Sequence, residues 1–480
     1  MVALLLLIFI ISSNLAIYAA PYESYIYNSK KEAIPSPHFY LPSKIITGSH
    51  LGVGEFNKPE DIFIGENKNI YIVDTGNNRI LHFDENWKMI REIKSFRKDG
   101  QEETFDGPQG VFVSETGRIY IADTNKHRVV ELDAEANFVR EIGAPKADVL
   151  RADFNYLPSK LVVDKAQRMY VVGPGMYEGI VEFDADGNFV QFTGSNKVKP
   201  NLLDYFWTRI VATKEQRKQS QLFIPEEFNN LDIDEQGFLY TSSTMSYLKR
   251  LNSQGEDITK KIKDREPYGD YQFPPLWVKG GGPTKFADVC IDQYGIYSGL
   301  DALRGRVFTY DSEGNLISVF GKLGDQEGTF KNPVAVEALK EQMVVLDKEL
   351  NRLTVFDLTE YGRLVRQAVI LHYNGDYSMA SVVWEKVLKM NANSELAYVG
   401  IGKSLLGQKR SKEAMEHFKL GNNKAFYSKA FKRYRREMIR DYFGPVITGI
   451  ILLVLAIFVW RRIRRAKMYD DMEGDSTYVD

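Results

Sequence analysis

The sequence predicts a mainly β protein made of repeated small antiparallel sheets, followed by a short helical region and one membrane-spanning helix. Three observations carry this reading: a β-rich text recurs after 49 residues with weaker copies following, a helical text recurs after 34, and a segment without charged residues and mostly apolar spans Val446 to Trp460. A 480-residue chain with 44% hydrophobic and 26% charged residues has the composition of a folded protein, so disorder throughout is excluded. Sixty-two basic against 64 acidic residues leave a net charge of -2, which provides no overall field for nucleic acid. Cys290 has no second cysteine to pair with, and one thiol with six scattered histidines excludes the common structural zinc spacings.

At the start of the chain, Val2 to Ile11 is an apolar run followed by Ser12, Ser13, Asn14 and the small pair Ala19-Ala20. This is the layout of a secretory signal over residues 1–20, cleaved or retained as an anchor.

The β-rich repeat begins next. Pro59, Asp74, Arg79 and Phe83 recur 49 residues later as Pro108, Asp123, Arg128 and Leu132, and each unit holds short β-rich runs separated by turn residues. Weaker copies follow, beginning at YLPSKLVVDKAQRMYVV, FNNLDIDEQGFLYTSS, FADVCIDQYGIYSG and NPVAVEALKEQMVVLD, which makes six. The pattern PxGVxV…GxIYIADTxNxRVxxFDxxGxFV resembles the NHL repeat, closely in units one and two and more loosely in the rest. That resemblance implies a six-bladed β-propeller over residues 43–358, a radial arrangement that leaves only short, protected edges. Unit six runs out of strand text after Leu353 to Leu358, while Lys44 to Gly48 matches the ISVFG ending of unit five. The first strand is therefore expected to complete the last blade. The Asp74 to Arg79 run and its copy at Asp123 to Arg128 read as turn supports. Cys290, in the alternating run FADVCID, reads as a small buried side chain.

After Tyr361 the spacing becomes helical: Leu371, Ala380 and Trp384 recur at Leu405, Ala414 and Phe418, 34 residues on. The text resembles two TPR helix pairs, implying a helical stalk over 361–442 that could dock a protein partner. Its last stretch interleaves Lys424, Lys429, Lys432, Arg433, Arg435, Arg436 and Arg440 with Phe426, Tyr427, Phe431 and Tyr434, which suits either a phosphate-rich surface or a solvated helix with an aromatic core stripe. A transmembrane helix over 443–460 follows, then a tail over 461–480. Arginines and lysines stand on both flanks of the span, so orientation rests on the N-terminal signal: a single-pass type I protein of the cell membrane, propeller outside and tail cytoplasmic.

No nucleophile elbow, phosphate loop or HExxH motif occurs in the chain. Residues opening each innermost strand are expected to converge on the propeller mouth: Glu60, Gln109, Lys160, Asn229 or Asn230, Asp288 and Val334. Six-bladed lactonases of the gluconolactonase type hold a divalent cation with a Glu, Asn and Asp set. By that resemblance Glu60, Asn229 and Asp288 form an alternative site for calcium or another divalent cation. The lyase branch of NHL propellers relies on channel histidines that this chain does not supply, His82 and His127 reading as blade-turn residues. Two long insertions, 196–223 and 260–285, carry Tyr205, Trp207, Tyr268, Tyr271, Phe273 and Trp277, flat apolar faces suited to a protein partner or to sugar rings.

The arrangement resembles the membrane-anchored NHL proteins of Gram-positive bacteria that often accompany carbohydrate ABC transporter components. This implies a non-catalytic binding or scaffolding protein with a protein or carbohydrate ligand and no cofactor.

Overall fold

The structure is a computed structural model that describes residues 20–146, 154–194, 227–243, 248–259 and 268–474. The expected signal at 1–20, save Ala20, and the insertion 196–223 with Tyr205 and Trp207 lie outside the described residues, as do residues 260–267 of the second insertion. The chain divides into two compact units, meeting at Tyr373 and Asn374.

The first unit is a six-bladed β-propeller. Blade one pairs Asp61–Ile64, Ile70–Asp74, Arg79–Phe83 and Met89–Ile93 in sequence order, each strand antiparallel to the next. Blades two, three and five repeat that order over 108–142, 160–193 and 286–320. The innermost strand of every blade neighbours that of the next, and the sixth returns to the first, which closes the ring. Blade six takes its outer strand from the start of the chain, Tyr40–Thr47 pairing with Arg352–Leu358 in the register Arg352↔Thr47 to Leu358↔Tyr40. The expected latch is present and starts a few residues earlier than its sequence match. Among the described residues blade four shows three strands, Phe228–Ile233, Leu239–Ser243 and Leu248–Leu251, and an isolated bridge from Leu251 to Asp257.

The blades hold by packing of their inner and middle strands. Ile46, Ile72, Leu81, Leu346 and Leu353 form one buried cluster across the seam where chain start and blade six meet blade one. The Asp and Arg of the repeat are buried supports, as expected. Asp74 accepts from the Asn57 amide at 2.7 Å and from Arg79 Nε at 2.7 Å, and Asp123 does the same with the Asp106 amide at 2.7 Å and Arg128 Nε at 2.9 Å. Asp301 and Asp347 take the Lys285 and Lys331 amides in the same way. Each carboxylate ties the end of a second strand to the loop that entered its blade. The αL residues Asn78 and His127 close the tight turns in between. His82 differs from expectation: it lies in the strand Arg79–Phe83, buried and stacked on Tyr71 at 4.2 Å, because strand alternation turns it onto a flat aromatic neighbour.

Two hairpins extend the repeat. Ser95–Lys98 pairs with Gln101–Thr104 around Asp99-Gly100, both at positive φ, and stacks Phe96 on Phe138 at 5.3 Å. Ahead of the propeller, Tyr25–Tyr27 pairs with Ala33–Pro35. After blade six, α1 (Glu360–Tyr373) closes the first unit, burying Tyr361, Val365, Ala368 and Val369 and bonding Arg366 to Asp292 of blade five at 2.7 Å.

In the second unit α2 (Tyr377–Met390), α3 (Glu395–Gly407), α4 (Ser411–Leu420) and α5 (Lys424–Gly474) pack in succession. Asp376 and Ser394 cap α2 and α3 by accepting from Met379 and Ala397 amides. Ala380, Trp384, Ala414 and Phe418 are buried, the small residues lying where helices approach. Helix α5 is assigned unbroken through Pro445, contains a stretch long and apolar enough to cross a membrane, and continues into the expected tail. The tail residues Arg461 to Lys467 include no Gly or Pro, so nothing stops the helix before Gly474.

Candidate functional site at the propeller channel and the loop beside blade five

The innermost strands bring Asp61, Lys160, Asn230, Asp232, Asp288 and Glu337 around a central cavity of about 20 Å³, room for about one water. Of the residues expected at the mouth, Lys160, Asn230 and Asp288 line it. Glu60, Gln109, Asn229 and Val334 do not, and the backbone explains why. The innermost strands of blades two, four, five and six each carry a register shift near their first residues, between Pro108 and Gly110 and between Phe228 and Asn230 in two of them. One extra residue at each bulge moves Gln109 and Asn229 out of the alternation that points inward. Asn229 instead donates to the Phe286 carbonyl at 2.8 Å, and the Glu60 carboxylate pairs with Lys348. The alternative metal set is thus not brought together, and among the described residues no group of three or more His, Cys, Asp or Glu is placed to hold a metal ion.

The lining side chains are tied to neighbouring blades. Asp61 accepts from the Val111 amide of blade two at 3.1 Å and from Lys160, whose Nζ also reaches the Glu60 carbonyl at 3.0 Å. Asp232 accepts from the Ile291 amide of blade five at 2.8 Å, and Asp288 from the Val336 amide of blade six at 2.6 Å. Four carboxylates therefore line the ring, of which Asp61 is paired with Lys160. Burial pushes Asp232 and Asp288 up to about 7, with nearby carboxylates adding to the rise and amide bonds opposing it. Burial, then Asp232, Asp288 and Asp61, raise Glu337 well above the usual carboxylate range. Burial also raises Asp61, outweighing Lys160. The arrangement fastens blades together and favours the protonated form of its carboxyls.

The described part of the second insertion has a different character. Tyr268 packs edge-on against Tyr310 at 5.0 Å and accepts from the Tyr297 hydroxyl at 3.2 Å, and Tyr271 lies edge-on to Tyr27 at 4.6 Å. These two anchor the loop. Buried Asp270 binds Tyr25, Tyr27 and Arg306, so the N-terminal hairpin clasps the loop's base. Beyond it the chain folds back on itself, with Val278, Gly281 and Gly282 amides bonding to Pro275, Val278 and Pro274 carbonyls and Arg304 holding the Gly282 carbonyl. This firm support presents Phe273 at 43%, Leu276 at 78%, Trp277 at 86% and Val278 at 46% exposure.

The NHL repeat family model matches residues 105–132, the entry and first three strands of blade two. No curated protein matches the chain in sequence. Among solved structures the chain is similar to virginiamycin B lyase from Staphylococcus aureus, at 10% identity and TM-score 0.41, over 66% of this chain and 99% of that one. It is also similar to a streptogramin B lyase, at 12% identity and TM-score 0.40, over 72% and 96%. A gluconolactonase from Xanthomonas campestris is similar at 12% identity and TM-score 0.36, over 68% and 98%. No residue role or activity is carried across from them.

Proposed function

We propose that the protein is a non-catalytic, membrane-anchored binding or scaffolding protein whose propeller recognises a protein or carbohydrate ligand through the loop at 268–285. The observation that carries this is Trp277, held 86% exposed beside Leu276 on a loop fixed by its own hydrogen bonds and by Arg304. A large apolar surface kept in water by a preorganised loop lowers the ordering cost of binding. The apolar helix in α5 supplies the membrane anchor, and the apolar N-terminal run sets the propeller outside and the tail in the cytoplasm. The order of propeller, helical region and anchor directs the ligand search toward a carbohydrate transport system.

A second reading, a divalent-metal-dependent lactonase-like hydrolase, is favoured only by the carboxylates around the channel. Its proposed ion would compete with Lys160 and with the amide bonds those carboxylates already make. Binding measured on a glycan array and against co-purified membrane proteins separates the two. The loop variant Leu276→Asp/Trp277→Ala is expected to lose at least tenfold in affinity while Asp288→Asn retains binding. Calcium-dependent lactone turnover, lost in Asp288→Asn and kept in the loop variant, would replace the first reading with the second.

A further inference from the structure

Among the described residues, helix α5 leaves one face without a partner well before its apolar span. With 3.6 residues per turn, Tyr427, Phe431, Tyr434, Met438 and Tyr442 fall within an arc of about 80°. Tyr427, Phe431, Met438 and Tyr442 are 36%, 46%, 42% and 62% exposed, and Tyr434 is half-buried. The helix's packing face lies elsewhere: Ala430 is buried, Phe426 stacks on Phe418 at 5.4 Å, and Glu437 accepts from Ser411 at 2.9 Å. Lys429, Lys432, Arg433, Arg436 and Arg440 occupy a third arc of about 100°, centred opposite the apolar one.

Lipid does not account for the apolar face. A helix rises about 1.5 Å per residue, so Tyr442 stands about 6 Å before Val446, but Phe431 about 22 Å and Tyr427 about 28 Å. The headgroup layer of one leaflet is roughly 5–8 Å thick, so the outer part of this stripe reaches past it. The spacing of four, three and four residues from Tyr427 to Met438 is that of a coiled-coil seam.

We infer that this face pairs with the same face of a second copy of the chain, in a parallel two-helix contact leading into the membrane. The inference rests on the reading of α5 as a membrane anchor, since a shared bilayer aligns two such helices side by side. Charge fits the pairing. The basic arc is centred opposite the seam, while Arg435 borders the stripe on one side and Asp441, which Arg440 of its own helix reaches at 3.0 Å, borders it on the other, so each border faces the opposite sign in the partner.

The test is disulfide trapping of the full chain in lipid nanodiscs, with the buried Cys290 as background. Phe431→Cys and Met438→Cys are expected to give a covalent dimer under mild oxidation, and Arg436→Cys, on the basic arc, at least tenfold less. Phe431→Lys/Met438→Lys is expected to leave a monomer whose propeller melts as in wild type. Equal trapping at Phe431 and Arg436, a monomeric wild type, or Phe431→Cys adducts in native membranes only with a different protein would each overturn the inference. Carbonate extraction separates failure of the anchor from failure of the pairing: a chain released from membranes refutes the anchor, whereas a retained, untrapped chain refutes only the dimer.

Discussion

Single side chains decide what the channel can do. Glu337, Asp232 and Asp288 line one small cavity with Lys160, and burial raises all three above the usual carboxylate range. An aspartate that titrates near 7 in the fold and near 3.8 when unfolded keeps the folded state more protonated between those values, so its contribution to stability falls as pH rises from about 4 to 7. His82 acts oppositely: burial lowers it to about 4, so stability is lost as pH falls below its ordinary 6.5. Glu337→Gln isolates the first effect, because the amide mimics the protonated acid. The variant is expected to melt higher than wild type at pH 8, by on the order of 1–3 kcal/mol, and to match it at pH 5. Thermal denaturation at the two pH values checks this; a variant that melts lower at pH 8 would show that Glu337 is ionised and needed. Sequence reading found Lys160, Asn230 and Asp288 but missed Asp61, Asp232 and Glu337. Asp232 and Glu337 lie further along their strands than the opening residues singled out there, and Asp61 follows Glu60 by one residue; nothing in a lone sequence marks where the inward alternation begins, which in blades four and six a bulge sets.

At the level of elements, the strand Tyr40–Thr47 bears most on the ring, since it joins residues some three hundred positions apart in the chain. Its Ile46 is fully buried against the seam of blades six and one. Ile46→Asp is expected to cost about 3–5 kcal/mol and to lower the melting of the whole propeller in one step, as an unpaired charge in a core seam should. Calorimetry on the full chain checks it: a local loss with the main transition unmoved would mean that the ring closes without its latch. This strand was legible because its text repeats the end of unit five. The hairpin Ser95–Lys98/Gln101–Thr104 had a signal that went unread, the dipeptide Asp99-Gly100 between β-forming runs, which suits a two-residue turn with positive φ at both positions. The N-terminal hairpin that clasps Asp270 carried no such signal, because its partner lies some 245 residues away and is chosen by tertiary packing.

For the molecule as a whole, periodicity made the architecture readable. A repeat of 49 residues, a repeat of 34 and one apolar run suffice for a ring, a helical array and a candidate span. They say little about which surface binds, because the same repeat text builds every blade and function is added between repeats. Tyr268 and Tyr271 illustrate this: they share the aromatic character of Trp277, yet the fold spends them on fixing the loop, while Trp277 and Leu276 remain in water. The proposed function puts recognition at this loop and not in the channel. A photo-reactive phenylalanine analogue placed at 277, with a second chain carrying it at 288, tests that claim in membranes of the native host. A discrete adduct at 277 and none at 288 is the predicted result; no adduct at 277, with an adduct or calcium-dependent chemistry at 288, would contradict it.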